Sequence, residues 1–206
     1  APSEASRVMS FEARGGKDVL TRALDGIRKA RPPVRMTTRI VAVDGPGGAG
    51  KTSLSEWLAS ELGAKIVHTD DFASWDNPTN WWPELIDKVL EPIAVGSSAR
   101  FVPTRWGGPQ RREVTVEPGD FLVLEGVTAS REAFRPYLTY SIWIETPREL
   151  RLQRGIERDG EDLRARWEAW MALEDRYVER ERPREHADLV LPGDEGLWAD
   201  RRAGVH

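Results

Sequence analysis

The residues best placed by type and spacing to do chemistry lie in a glycine-rich stretch at positions 45–52. They read Gly-Pro-Gly-Gly-Ala-Gly-Lys-Thr and match the pattern G-x-x-x-x-G-K-[ST]. The glycines let the backbone approach phosphate oxygens without a Cβ atom in the way, and the loop N–H groups then point at the anion. The lysine can reach the β- and γ-phosphates of a nucleotide, and the threonine hydroxyl can ligate Mg²⁺. The pattern predicts a loop for ATP and Mg²⁺, formed by Gly45, Gly47, Gly48, Ala49, Gly50, Lys51, Thr52 and Ser53.

Two acidic positions that follow apolar runs are candidates for catalysis and for metal binding. Asp70 and Asp71 come just after the run 64–68. A carboxylate here would orient a hydroxyl nucleophile and accept its proton, although a capping turn explains the pair equally well. Because side chains alternate along extended chain, only one of the two can face the nucleotide, as a base or as a neighbour of the metal. Glu125 ends a buried apolar run and needs a partner, for which the Mg²⁺ shell is the natural one.

Four arginines, Arg148, Arg151, Arg154 and Arg158, recur at helical spacing ahead of Gly160. Arginines beside a glycine-containing lid suit the stabilisation of charge on a transferring phosphoryl group. We assign this role to Arg154 and Arg158. The other two are interpreted as part of a solvated face with ordinary ion pairs.

These residues need strands and helices to position them, and the chain alternates between the two patterns. The predicted strands are 39–44, 64–68, 121–126, 140–144 and 188–191, with a hairpin at 100–116 around Gly107-Gly108. The predicted helices are 17–30, 53–62, 83–91, 147–158 and 163–181. Strand, loop and helix in that order around the glycines is the context that a phosphate loop requires. The alternation predicts an α/β fold of three layers, with a mainly parallel sheet between helices, a small β-hairpin and a short lid.

The predicted organisation is an N-terminal extension with one amphipathic helix (1–36), a P-loop domain (37–194) and a C-terminal tail (195–206). Residues 1–16 are expected to be disordered. The long helix carries an apolar stripe interpreted as core, formed by Leu163, Trp167, Trp170, Met171, Glu174, Tyr177 and Val178.

Composition narrows the classes of partner. The net charge is −4, with no basic field for a nucleic acid polymer, and no apolar run is long enough to span a membrane. The absence of cysteine excludes disulfides and favours a cytoplasmic protein. A small-molecule acceptor is therefore the expected partner, and a homodimer is one candidate for the oligomeric state.

Several motifs together resemble the uridine kinase family of P-loop small-molecule kinases, which includes nicotinamide riboside kinases and phosphoribulokinases. The resemblance extends over about residues 40–192. Besides the phosphate loop, the motifs are Thr69-Asp70-Asp71-Phe72, Asp76-Asn77-Pro78, Leu124-Glu125-Gly126, the arginines at 151, 154 and 158, and Ala187-Asp188-Leu189-Val190-Leu191. The resemblance implies a catalytic base at Asp70, a carboxylate for substrate hydroxyls at Asp76 and an acidic Walker B position at Glu125. It also implies that Arg154 and Arg158 contact phosphates or substrate.

The acceptor region departs from that family. Uridine kinases have a Tyr and a His in the hairpin that recognise the pyrimidine, whereas this chain has Arg105 near the Tyr position and no His. The segment before Asp76 and the lid are also shorter. Trp82, Arg105 and Trp106 would rebuild the pocket for a planar or cationic substrate, or the tryptophans could replace the missing loop as core.

The sequence thus favours an ATP-dependent phosphotransferase acting on a hydroxyl of a small molecule, a nucleoside being one candidate. The alternative is a nucleotide-binding regulatory module with a lost or altered acceptor site. Retention of Asp70, Asp76 and Glu125 together favours the enzyme.

Overall fold

The fold is built on a five-stranded sheet whose strands all run parallel. The structure, a computed structural model, describes residues 16–74, 76–104 and 112–193. The strand order in this sheet is β2-β5-β1-β6-β7, and β3 and β4 form a separate antiparallel pair. The strands are β1 (Arg39–Asp44), β2 (Lys65–His68), β3 (Ala99–Phe101), β4 (Val114–Val116), β5 (Phe121–Glu125), β6 (Tyr140–Glu145) and β7 (Leu189–Pro192).

Helices cover both faces of the sheet. They are α1 (Gly16–Lys29), α2 (Lys51–Leu62), α3 (Trp82–Leu85), α4 (Glu91–Ala94), α5 (Arg148–Asp159), α6 (Arg164–Glu181) and α7 (Pro183–His186). None of them is both long and apolar enough to cross a bilayer within the described ranges.

The side chains of the central strand β1 alternate between two apolar layers. Ile40 and Ala42 pack into the layer formed with α3 and α4, whereas Val41 and Val43 pack into the layer formed with α1 and α2. All four are fully buried, as expected of a parallel strand covered on both faces. The predicted three-layer α/β P-loop fold is therefore confirmed.

Helix α1, predicted as part of an N-terminal extension, packs into the second of these layers. Leu20 and Ile27 on its inner face are almost fully buried, in the same cluster as Val43 and Ile142 of the sheet. Burying side chains of this size contributes on the order of 1.5–3 kcal/mol each. Helix α1 is thus a structural part of the helical layer over β1 and β6.

The helix predicted at 83–91 continues to Ala94, with a π-helical turn in its middle. Residues Ile86–Leu90 form a π-helical turn between α3 and α4, closed by a hydrogen bond from the N–H of Glu91 to the carbonyl oxygen of Ile86. Pro92 follows and has no N–H to donate to the preceding turn, so the regular α-helical ladder cannot run through it. The π turn accommodates that missing donor.

The other predicted helices and the strands of the parallel sheet agree with the sequence to within two residues, whereas α7 was not predicted. Strands β3 and β4 pair in antiparallel register as the predicted hairpin, while its tip, with Gly107-Gly108, lies outside the described residues. Gly160 ends α5 at a φ of 105°, which accounts for the predicted break between the two long helices. A single 3₁₀ turn, Glu161–Leu163, connects it to α6.

Candidate active site

The phosphate loop connects β1, the central strand of the sheet, to the N-terminus of α2. Gly48 has a φ of 75°, and a Cβ atom there would lie 2.8 Å from the backbone oxygen of Arg151. Gly50 precedes the helix with a φ of 98° and offers no side chain to cap it. The first N–H groups of α2 therefore have no side-chain cap, and such an uncapped helix N-terminus suits an anion.

The two side chains expected at the nucleotide phosphates differ in exposure. Lys51 is 8% exposed, and its ammonium donates to the carbonyl oxygen of Pro46 at 2.9 Å. This bond keeps the charge folded over the loop. Thr52 is exposed in the first turn of α2, with its hydroxyl available for ligation.

A buried ion pair between α5 and α6 supports the loop from behind. Oε1 of Glu174 accepts a hydrogen bond from the N–H of Gly47 at 2.7 Å, and Oε2 accepts one from Nη1 of Arg151 at 3.1 Å. Arg151 also donates to the carbonyl oxygen of Thr146. Burial raises the pKa of Glu174, and the Gly47 N–H, Lys51 and Arg151 oppose that rise.

Arg151 therefore does not lie on a solvated face, as its spacing suggested, but is 6% exposed. The sequence could not reveal this, because its partner Glu174 belongs to another helix. Arg148 does follow the expectation: it is exposed and pairs with Asp175 at 2.6 Å.

Trp167 of α6 fills the space between the phosphate loop and α5. A Cβ atom on Gly155 would lie 2.4 Å from its indole ring, and one on Gly47 would lie 3.1 Å from it. The indole Nε1 donates to Oδ2 of Asp159 at 2.9 Å. The prediction that Trp167 packs rather than binds is confirmed, since the residue is buried.

The two arginines assigned to the phosphoryl group hold different positions. Arg154 donates through Nη1 to the carbonyl oxygens of Gly48 and Gly193, at 3.2 and 3.0 Å, and so ties α5 to the loop. Arg158 is exposed, stacks over Trp167 at 5.4 Å and makes two hydrogen bonds to Asp159. The pKa of Arg158 is raised, first by that hydrogen bond and further by the charge of Asp70.

Asp70 and Asp71 lie in a 3₁₀ turn, Thr69–Asp71, that directly follows β2. Asp70 is exposed, whereas Asp71 is 5% exposed. The backbone oxygen of Asp71 accepts a hydrogen bond from the N–H of Thr104 at 2.7 Å, which joins this turn to the hairpin. Of the two, Asp70 is the exposed one, and its charge reaches Arg158.

Glu125 ends β5 opposite His68 of β2 in the strand register. Its Oε2 lies 2.5 Å from Nδ1 of His68, so the structure pairs this carboxylate with an imidazole. The described residues contain no group of three acidic or histidine side chains arranged to hold a metal. Mg²⁺ bound with a nucleotide commonly takes most of its ligands from phosphate and water and only one or two from protein. Metal ligation by Thr52, Asp70 and Glu125 stays a prediction.

The sequence reasoning did not select Asp44, a fully buried carboxylate that immediately precedes the loop. Its two oxygens accept hydrogen bonds from the N–H of Gly45 and Thr128, the N–H and hydroxyl of Ser130, and the hydroxyl of Tyr177, at 2.6–3.0 Å. Thr128 is held at a φ of 69°, which is uncommon for a β-branched residue. Burial and the neighbouring Asp44 raise the pKa of Tyr177 well above its ordinary value.

On the acceptor side, Asp76 is exposed and Trp82 is half-buried. Trp81 is buried and packs against Phe72 and Phe134, so one of the adjacent tryptophans belongs to the core. Arg105 and Trp106, the other two predicted substrate residues, lie outside the described residues.

The comparison with known sequences finds matches over short segments only. No family model matches the chain. A cytidylate kinase from Mycobacterium leprae is 56% identical over 34 residues, and one from Nocardia farcinica is 32% identical over 84 residues. These segments span 16% and 41% of this chain, and 15% and 35% of the two relatives. The match therefore extends over less than half of either relative.

Solved structures match over most of the chain. A protein from Bacillus stearothermophilus provisionally described as a uridine kinase is 19% identical, with a TM-score of 0.62, over 85% of this chain and 98% of that one. A protein from Silicibacter sp. TM1040 provisionally described as a fructose transport system kinase is 18% identical, with a TM-score of 0.58, over 84% and 98%. The chain thus has the P-loop kinase fold. Within that class it has the form of the uridine kinase-like proteins, as its motifs predict.

Proposed function

We propose that this protein transfers the γ-phosphoryl group of ATP to a hydroxyl of a small molecule. The observation that carries the proposal is that Asp70, in the turn that follows β2 at the carboxyl edge of the sheet, is near enough to Arg158 for its charge to raise the pKa of that arginine. Ligands of open α/β sheets bind at this edge. A carboxylate and an arginine in one region there are the two groups that phosphoryl transfer to an alcohol needs from the protein.

The proposed chemistry uses the carboxylate as a base. Asp70 accepts the proton of the acceptor hydroxyl while the hydroxyl oxygen forms a bond to the γ-phosphorus. The bond between that phosphorus and the β–γ bridging oxygen breaks, and ADP leaves with its electron pair. Lys51 and Arg158 oppose the negative charge on the phosphoryl oxygens.

The side chains around the loop are compatible with Mg²⁺. The positive-φ glycines Gly48 and Gly50 and the uncapped start of α2 suit the phosphates that carry the ion, and Thr52 and Glu125 would hold it directly or through water. When bound, the ion neutralises charge on the β- and γ-phosphate oxygens. The pairing of Glu125 with His68 keeps that carboxylate oriented toward the carboxyl edge of β5.

The acceptor is a small molecule rather than a nucleic acid polymer or a membrane surface, given the net charge of −4. Nucleosides are one class to test, together with nicotinamide riboside, pantothenate, sugars and amino-alcohols. The cysteine-free sequence is compatible with reaction in the cytoplasm.

The test is ADP release from Mg·ATP in the presence of each acceptor, beside an acceptor-free control. Release that depends on one acceptor class, with a phosphorylated product seen by mass spectrometry, supports the kinase. Slow release that is indifferent to every acceptor, with ATP still bound, contradicts it and favours a regulatory nucleotide-binding module.

A further inference from the structure

Arg131, in the segment that follows β5, is a buried arginine without a hydrogen-bond acceptor among the described residues. It is 8% exposed. Its guanidinium lies 5.0 Å from the ring centre of Trp82 and 5.7 Å from that of Phe134. The carboxylate that lies near it, on Glu181, has Oε1 at 3.9 Å from Nη2, which is too far for a hydrogen bond.

This arrangement is costly for the fold alone. A guanidinium carries five N–H donors and stays charged in proteins, and buried donors without acceptors are rare. Burial lowers the pKa of Arg131, and Glu181 is the largest influence that opposes the change. Arg151 shows that this fold can satisfy a buried arginine, because it hydrogen-bonds both Glu174 and a backbone carbonyl.

The aromatic contacts leave the N–H donors of Arg131 available to an acceptor in the plane of the guanidinium. Contact with Trp82 and Phe134 uses the flat faces of the guanidinium, whereas all its N–H bonds lie in the guanidinium plane. An acceptor that approaches in this plane would find two parallel donors. Carboxylates and phosphates match that geometry with two oxygens.

The position of Arg131 links the nucleotide loop to the acceptor side. The preceding residue, Ser130, donates to Asp44, immediately before the phosphate loop. Trp82 begins α3, which follows the segment that carries Asp70 and Asp76. Arg131 therefore follows directly on a residue bonded to Asp44 and contacts Trp82, which is assigned to the acceptor.

We propose that Arg131 binds a carboxylate or phosphate group of the acceptor, so that the substrate is a hydroxyl compound that carries a negative charge. This inference rests on the proposed kinase function and defines its substrate class. It also argues against a cationic acceptor, since the guanidinium charge would repel one. Trp82 covers one face of the guanidinium.

The first experiment compares matched acceptors that differ in one anionic group. 3′-CMP with cytidine tests a phosphate while keeping the primary hydroxyl, and pantothenate with pantothenol tests a carboxylate. We expect kcat/KM for ADP release to be at least about tenfold higher for the charged member of one pair, the discrimination that a buried charge-assisted contact gives. Equal rates for both members of both pairs would overturn the proposal.

The variant Arg131→Met separates binding from a structural role. We expect the KM of the charged acceptor to rise about tenfold or more while the KM of ATP stays unchanged. Resistance to urea should stay equal or increase, because the arginine makes no hydrogen bond within the described fold. Reduced stability with an unchanged acceptor KM would assign Arg131 to structure alone. Arg135→Met is the matched control: its guanidinium donates to the carbonyl oxygens of Ser130 and Glu181, and its loss should leave the acceptor KM unchanged.

Binding without turnover distinguishes the two proposals. 3′-CMP and pantothenate are titrated calorimetrically into the wild type and Arg131→Met, with the phosphate loop filled by the ATP analogue AMP-PNP. Binding that the substitution abolishes, without any acceptor-dependent ADP release, supports the anion site and contradicts the kinase. Acceptor-dependent release that the substitution leaves unchanged supports the kinase and overturns the anion site. Binding of neither anion to the wild type also overturns it.

Discussion

The nucleotide half and the acceptor half of the site differ in how their charged groups are satisfied. Around the phosphate loop, Asp44 accepts from five donors, and Glu174 is bound by Arg151 and the loop backbone. Across the crevice, Asp70 and Asp76 are exposed, and the guanidinium of Arg131 has no acceptor among the described residues.

This difference indicates which half of the site is preorganised before the substrate binds. The nucleotide half is held by buried bonds that the fold itself supplies, so its donors are already oriented for phosphate. The acceptor half exposes the carboxylates of Asp70 and Asp76 to solvent, where a substrate can reach them. One scaffold can therefore keep its phosphate donor while the acceptor residues change.

The largest expected effect is on the acceptor half, in Asp70→Asn. Loss of the proposed base should reduce acceptor-dependent ADP release by about 10²–10⁴-fold, the usual contribution of general base catalysis. Because Asp70 is exposed, ATP affinity and stability should stay close to wild type. The measurements are steady-state kinetics and an ATP titration. Full activity in this variant would remove Asp70 from the role.

On the nucleotide half, Arg151→Met tests whether buried pairs hold the loop. The substitution leaves Glu174 buried without its cation, and breaking such a pair costs about 3–5 kcal/mol. Urea unfolding should show this loss, and ATP affinity should fall because Glu174 binds the N–H of Gly47. Wild-type stability would mean that Glu174 is held mainly by the loop backbone.

A smaller effect is expected from Tyr177→Phe, which removes one of the five donors to Asp44. Leaving a buried acceptor short of a donor costs about 1–3 kcal/mol. The pKa of Tyr177 is raised in the fold, so above pH 10 the unfolded chain releases this proton first and wild-type stability falls. The variant should lose that part of the alkaline dependence. Identical urea midpoints for both proteins from pH 7 to 11 would contradict the account.

The smallest effect is expected from Arg148→Met, on the same two helices as Arg151. Arg148 and Asp175 are closer, at 2.6 Å, but both are exposed, and exposed pairs contribute about 0–1 kcal/mol. Comparing the two arginine variants by urea unfolding isolates burial as the cause. Equal losses would show that contact distance, rather than burial, decides the strength of these pairs.

The contrast between the nucleotide half and the acceptor half also explains how much of the fold and of the site the sequence could predict. The phosphate loop and its flanking elements depend on local spacing, and they were predicted with their boundaries. The sequence showed Glu174 as a carboxylate within the apolar stripe of α6, which indicates that it needs a buried partner. It did not show that the partner is Arg151, 23 residues away on α5. The packing of α5 against α6, which the sequence pattern does not show, buries Arg151 and leaves Arg148 exposed.

Arg131 had no comparable signal. It lies in an irregular segment after β5, and only the fold brings it against Trp82 and Phe134. Long-range packing, rather than periodicity, thus defined the acceptor half.

Three separate parts of the chain donate hydrogen bonds to Asp44, and this affects how the domain unfolds. Its donors belong to the phosphate loop, to the segment after β5 and to α6. If any of these parts detached, the fully buried carboxylate of Asp44 would lose hydrogen bonds that it needs. Local opening there is therefore suppressed, and we expect the three parts to unfold as one cooperative unit. In hydrogen exchange, the amides of Gly45, Thr128 and Ser130 should therefore exchange at the rate of global unfolding. Amides of the exposed turn at Asn77 should exchange much faster.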